Sequence, residues 1–156
     1  MLTATLLVCA FAALTGADVF NVALSCPVDW KLFGDHCFHL VSRQMTWVDA
    51  QKNCETLDAN LASIQSIEEQ MFVKSFIQLH AGENEEVWIG GSDCQQEFVF
   101  FWIDGASFKF TNWCPKEPDN SGKNQHCIQF NYGAEGCWDD VGCSSSRPSV
   151  CRKASH

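Results

Sequence analysis

Ten cysteines in 156 residues constrain what this chain can fold into more than any other feature. One of them, Cys9, lies in an apolar leader. Leu2 through Leu14 is interrupted only by Thr3 and Thr5 and runs into Thr15-Gly16-Ala17, small residues suited to signal-peptidase cleavage. The run is shorter than the roughly 20 residues that a bilayer span needs. It therefore predicts a secretory signal over residues 1–17 and not an anchor, although it has no Lys or Arg ahead of the apolar stretch. No other stretch suits a membrane span. Cleavage would leave residues 18–156 as a single domain with nine cysteines. So many in a small secreted domain predict a disulfide framework made in an oxidising compartment. Each bridge would contribute about 2–4 kcal/mol, a large share of a small domain's net stability.

The formal charge of −9 falls wholly within residues 18–156, because residues 1–17 carry no charged side chain. Nucleic acid is a poor partner for such a chain. The acids also cluster. Trp113-Cys114-Pro115-Lys116-Glu117-Pro118-Asp119-Asn120 precedes Cys127 and then Trp138-Asp139-Asp140, with further cysteines at 143 and 151. Four carboxylates crowded between cross-linkable positions call for a hard cation, and Ca²⁺ takes six to eight oxygens of this kind. A merely solvated acidic turn would leave the same carboxylates repelling one another. No Asn-x-Ser/Thr occurs, so N-glycosylation is not expected.

Helical signals come first along the chain. A short segment between Cys26 and Cys37 carries a Gly34-Asp35 turn before a strand-like run from Cys37 to Val41, which suits a locally bridged hairpin. Thr46 with Asp49 forms a capping box ahead of Trp47, Ala50, Cys54 and Leu57 at helical spacing. Ser66 with Glu69 forms a second, followed by the stripe Phe72, Val73, Phe76 and Ile77, which is read as core. Short apolar runs then follow: 87–89, 98–103, 108–110, 127–130 and 149–151. Helices followed by strands predict an α+β class. Residues 112–125 read as a long loop, and flanking cysteines favour a functional one.

Several of these residues together resemble the C-type lectin-like fold. They are Cys26-Pro-Val-Asp-Trp30, Thr46-Trp47 with Ala50 and Cys54, Leu61-Ala-Ser-Ile64, Trp88-Ile-Gly-Gly91, Trp102 with Asp104-Gly105, Asn112-Trp113, Glu117-Pro-Asp119, Trp138-Asp-Asp140 and Cys151. The likeness spans a core of residues 26–151 and implies two helices packed on short antiparallel sheets, with a long calcium-binding loop. It also implies bridges Cys54–Cys151, Cys127–Cys143 and, as in the long form, Cys26–Cys37. The leader, Ser92-Asp-Cys94, Trp113-Cys114 and Gly136-Cys-Trp138 look more narrowly like fish lectins of the type II antifreeze group, which adds Cys114–Cys137. In that group a cysteine precedes the counterpart of Cys127 and pairs with the counterpart of Cys94. Here that position is His126, so Cys94 lacks this partner. An odd cysteine suggests a disulfide-linked homodimer or a buried, inert thiol.

Carried over residue by residue, the resemblance implies a Ca²⁺ site made by Glu117, Asp119, Gln125, Asp139 and Asp140, with a cis peptide before Pro118. The family's usual set has two glutamates, two asparagines and one aspartate, whereas this set carries four negative charges. In the family the cation binds two vicinal sugar hydroxyls, each of which donates to a carboxylate and accepts from an amide. Glu117, Asp119, Gln125 and Asp139 hold those positions here. Glu117 and Asp119 are both acceptors when ionised, so one donor is missing, a loss of about 1 kcal/mol or somewhat more. Glu117-Pro118 resembles the mannose-type start and Asp119 the galactose-type motif; the lean is to mannose. Trp113, Phe130 and Tyr132 could stack on a sugar ring, but packing is the commoner use of such residues beside disulfides.

The leading reading is a secreted Ca²⁺-dependent carbohydrate-binding lectin acting in glycan recognition or innate defence. An ice-binding protein of the type II antifreeze kind is the first alternative, and a toxin-like or protein-binding module that ignores sugar is the second. No threonine follows Thr111, which disfavours an ice-binding surface beside the metal. An enzyme is disfavoured by the lack of His-Glu-x-x-His, a phosphate loop or Gly-x-Ser-x-Gly. The His36-Cys37-Phe38-His39 cluster reads as a bridged strand.

Overall fold

The computed structural model describes residues 23–156, so the leader expected over 1–17 lies outside the described residues. Strands β1 (Lys31–Phe33) and β2 (His36–Met45) form a hairpin whose two-residue loop begins at Gly34, φ +58°. Glycine takes that left-handed conformation without a Cβ penalty. The β2 strand pairs antiparallel with the last strand, β8 (Arg147–Ala154), from His36↔Ala154 to Met45↔Arg147, so the two ends of the fold lie side by side.

Helix α1 (Trp47–Glu55) starts where the capping box predicts: the Asp49 N–H donates to Thr46 Oγ1 at 3.3 Å. It buries Trp47, Ala50 and Cys54, and Cys54–Cys151 fastens it to β8 across 97 residues of sequence. Helix α2 (Ile67–His80) is capped by Ser66, whose Oγ accepts from the Glu69 N–H at 3.2 Å, and it buries Val73, Phe76 and Ile77. Strand β3 (Asn60–Leu61) pairs with β8.

The remaining strands are β4 (Val87–Ser92), β5 (Phe101–Trp102), β6 (Cys127–Tyr132) and β7 (Cys137–Val141). The sheet runs β1-β2-β8-β4-β6-β7, with β5 beside β4; among the described strands β4 pairs with β8 in parallel and the other strand pairs are antiparallel, while an isolated parallel bridge joins Trp113 to Trp138. Helices and an antiparallel-rich sheet make this α+β. At Gly90 an added Cβ would lie 2.5 Å from the Leu61 backbone oxygen, so the Trp88-Ile-Gly-Gly91 motif records a close backbone approach.

Two sequence expectations need correction. Phe108-Lys109-Phe110 is not a strand. Both rings pack against Trp138, at centroid distances of 6.3 and 5.8 Å, from an irregular segment held by a Lys109 N–H to Ser107 carbonyl turn. Alternation there records a shared core target without a partner strand. The 98–103 run shrinks to Phe101–Trp102, because the chain bends at Phe98, φ +60°. Conversely the sequence pattern does not predict β7, which carries the Asp pair.

Trp138 sits at the centre of the core, with the rings of Trp102, Phe108, Phe110 and Trp113 meeting it edge-on or at steep angles. Its buried N–H donates to Gln70 Oε1 on α2 at 2.8 Å, which satisfies the one polar atom of the ring. Trp113 and Phe130 therefore serve as packing residues, while Tyr132 remains exposed.

Candidate metal centre

Among the described residues there are four disulfides: Cys26–Cys37, Cys54–Cys151, Cys114–Cys137 and Cys127–Cys143. Two of them hold the acidic loop at both ends. At its start the Trp138 N–H donates to the Asn112 carbonyl at 2.8 Å, the Cys114 N–H donates to the Trp138 carbonyl at 2.9 Å, and Cys114–Cys137 fastens the same point. At its end Cys127–Cys143 joins the start of β6 to the segment after β7. The acid-bearing loop is thus held against the strand that carries Asp139 and Asp140.

Within the loop the Glu117–Pro118 peptide is cis. Asp140 is fully buried, and its two oxygens accept from the Asp119 and Asn120 N–H groups, each at 2.9 Å. A β7 carboxylate therefore shapes the loop as well as presenting charge. Asp119 Oδ1 accepts from the Ser121 N–H at 2.8 Å at the entry of a single 3₁₀ turn, Ser121–Lys123. Asn120, in the left-handed region at φ 44°, accepts the Gln125 N–H on its Oδ1 at 2.9 Å and closes the segment 120–125.

One oxygen from each of Glu117, Asp119 and Asp140 lies within 4.8 Å of the other two. Oxygens bound to one Ca²⁺ at 2.3–2.6 Å can be at most about 5 Å apart, so this spacing fits a shared ion. Glu117 Oε2 and Gln125 Oε1 are both buried without a hydrogen-bond partner. Buried acceptors left unpaired cost free energy, and a cation bound to them would remove that cost. Asp139 differs from the other acids. Its Oδ2 accepts from Gln129 Nε2 at 2.6 Å across the β6–β7 register, and Arg147 Nε donates to Gln129 Oε1 at 2.5 Å.

The electrostatics follow. Glu117 has its pKa pushed up to about 7, first by burial and then by the charges of Asp139, Asp119 and Asp140. Asp139 is raised too, mainly by burial, against the opposing hydrogen bond from Gln129. A group of carboxylates that resists ionisation is the natural setting for a divalent cation, which reverses the sign of the local field.

Gln129 and Arg147 also help build this centre without standing out in the sequence, and Asn120, which lies in the acidic run, closes the loop in a way that the run does not predict. An Asn in a Pro/Gly-rich loop is a fair candidate for a left-handed position. Gln129 and Arg147 carry no local signal, since only the pairing of strands brings Gln129 to Asp139 and Arg147 to Gln129.

The fold and this loop define a class of disulfide-bridged binding domains with an oxygen-rich loop beside the sheet. A model of the lectin C-type domain matches residues 43–153. The chain belongs to that family. It is 42% identical over 163 residues to a type-2 ice-structuring protein of Osmerus mordax, covering 96% of this chain and 91% of that one. It is 37% identical over 173 residues to ladderlectin of Oncorhynchus mykiss, with the same two coverages of 96% and 91%. Among solved structures, a Ca²⁺-dependent type II antifreeze protein in its Ca²⁺-free form superposes with TM-score 0.77 at 42% identity, covering 83% of this chain and all of that one. A calcium-independent type II antifreeze protein superposes with TM-score 0.79 at 37% identity, covering 87% of this chain and 99% of that one. Among the described residues no helix is long and apolar enough to cross a membrane.

Proposed function

We propose that this chain is a secreted Ca²⁺-dependent lectin, with residues 1–17 removed as a signal and residues 18–156 acting as one carbohydrate-binding domain. The observation that carries the proposal is the convergence of the Glu117, Asp119 and Asp140 oxygens beside the unpartnered buried oxygens Glu117 Oε2 and Gln125 Oε1. Glu117, Asp119, Gln125, Asp139 and Asp140 would hold the ion. When bound, the ion supplies open coordination positions for a pair of sugar hydroxyls. Glu117, Asp119, Gln125 and Asp139 would then flank those hydroxyls, with mannose-type ligands favoured. A glycan array run with Ca²⁺ and again with EDTA tests the proposal: Ca²⁺-dependent signal supports it, and a blank array with calorimetric Ca²⁺ binding contradicts the sugar-binding part alone.

The resemblance to ice-structuring proteins supports a second reading, ice binding. The distribution of threonine weighs against it, since Thr46, Thr56 and Thr111 are the threonines in residues 18–156. Thermal hysteresis in the purified protein that is lost on chelation would reverse the ranking.

Cys94 is the free cysteine among the described residues, and it is exposed. It is one of the residues lining a roughly 250 Å³ pocket, with Trp47, Val48, Phe101 and Ile103. This placement favours a disulfide-linked homodimer over an inert buried thiol; a monomer band alone on non-reducing gels would contradict the dimer.

A further inference from the structure

Asp93, Glu97 and His126 form a second cluster of metal-ligating side chains that the acidic loop does not use. Asp93 follows β4 directly, and its N–H donates to the His126 carbonyl at 3.2 Å, so the two residues face each other where the β4–β6 pairing runs out. The Asp93 side chain is fully buried, and its Oδ2 accepts from the Phe98 N–H at 2.7 Å. That bond curls residues 94–98 back over Asp93 and brings Glu97 to the same place. His126 Nδ1 then lies 3.1 Å from Asp93 Oδ1 and 3.8 Å from Glu97 Oε2. One ligand atom from each of the three residues is within 4.8 Å of the other two.

These separations suit a tetrahedral ion. Zn²⁺ with bonds of about 2.0–2.1 Å to nitrogen and oxygen holds its ligands about 3.3–3.4 Å apart, which falls between the two observed distances. We propose that Asp93, Glu97 and His126 form a site for Zn²⁺ or a similar borderline divalent cation, separate from the Ca²⁺ centre and with a fourth position open to water. The imidazole nitrogen sets the class of metal. Ca²⁺ takes six to eight oxygens, and two carboxylates with one nitrogen supply too few donors of the right kind. The Phe98 N–H on Asp93 Oδ2 leaves Oδ1 turned toward His126 and fixes the carboxylate before any ion arrives, the usual work of an outer hydrogen bond at a metal site. Glu97 and His126 are partly exposed, which gives an ion a route in. On binding, metal bonds replace the His126 Nδ1–Asp93 Oδ1 hydrogen bond: an imidazolium gives its Nδ1 proton to solvent, whereas a neutral Nδ1–H imidazole moves that proton through solvent to Nε2, and in neither case does an oxidation state change.

Calorimetry with Zn²⁺ on the purified protein already saturated with Ca²⁺ tests this site separately from the Ca²⁺ reading. The expected result is one Zn²⁺ per chain, weakened about tenfold or more in both His126→Ala and Glu97→Gln and unchanged in Cys94→Ser. Co²⁺ should give the intense visible absorption of a four-coordinate site in the wild type and lose it in Glu97→Gln, a variant whose surface position spares the core. Failure of Zn²⁺ to bind, full retention in His126→Ala and Glu97→Gln, loss in Cys94→Ser, or displacement of Zn²⁺ by excess Ca²⁺ would each overturn the proposal.

Discussion

Calcium affinity should depend on pH through Glu117. With its pKa near 7, raised from an ordinary 4.5 by burial and by three neighbouring carboxylates, this side chain holds a proton that the ion must displace. The deprotonated fraction is about one half at pH 7, about nine-tenths at pH 8 and about one-tenth at pH 6, so the apparent Kd for Ca²⁺ should rise about tenfold from pH 8 to pH 6. Calorimetry in two buffers of different ionisation enthalpy would show close to one proton released per Ca²⁺ at pH 6 and few at pH 8. Glu117→Gln should bind Ca²⁺ more weakly and lose most of this slope. A wild-type Kd constant over that range, or an equal slope in Glu117→Gln, would refute the reasoning. The metal-free protein gives a linked expectation. A raised folded-state pKa means that the native state binds more protons than the unfolded chain between about 4.5 and about 7. The stability this group contributes is therefore full below about 4.5 and is lost as pH rises through about 7, and the raised Asp139 acts in the same direction. Saturating Ca²⁺ should cancel that decline.

Two substitutions test other parts of the account. Asp119→Asn keeps the oxygen that accepts from the Ser121 N–H and replaces the other with an amide donor. At saturating Ca²⁺ mannose binding should strengthen about fivefold, the worth of one hydrogen bond of about 1 kcal/mol, and unchanged or weaker binding on a titrated glycan surface would sink the donor-deficit argument. Gly90→Ala would push a methyl group to 2.5 Å from the Leu61 backbone oxygen in a place where Gly90 N–H is already tied to the Ala62 carbonyl. A loss of about 1–3 kcal/mol in urea unfolding is expected, whereas a change under about 0.5 kcal/mol would mean that the strands part without cost.

The two helices were legible because their signals are local. A capping residue and an apolar stripe three and four residues apart act within one segment, and Thr46 and Ser66 sit at the N-caps the sequence predicts. The Phe108–Phe110 run misled because alternation reports which side chains are buried and not whether a neighbouring backbone is available for pairing. Strand β7 has no such pattern, for the converse reason. Cys137-Trp-Asp-Asp-Val141 carries two charges, yet every one of its residues is buried.

Residue types alone determined that this chain carries an acidic, cysteine-flanked loop able to supply oxygens to a hard cation, and the order of its motifs pointed to the family and, through it, to the bridges. Tertiary structure alone decided how each acid is used. Asp140 is used partly on the loop backbone, Asp139 is held by Gln129, which accepts in turn from Arg147, and Glu117 is left with a buried unpartnered oxygen. Formal charge is a property of composition, but the free energy of a carboxylate depends on its burial, its donors and the charges within a few ångströms. Those are set by strand register and by disulfides that bring residues far apart in sequence into contact.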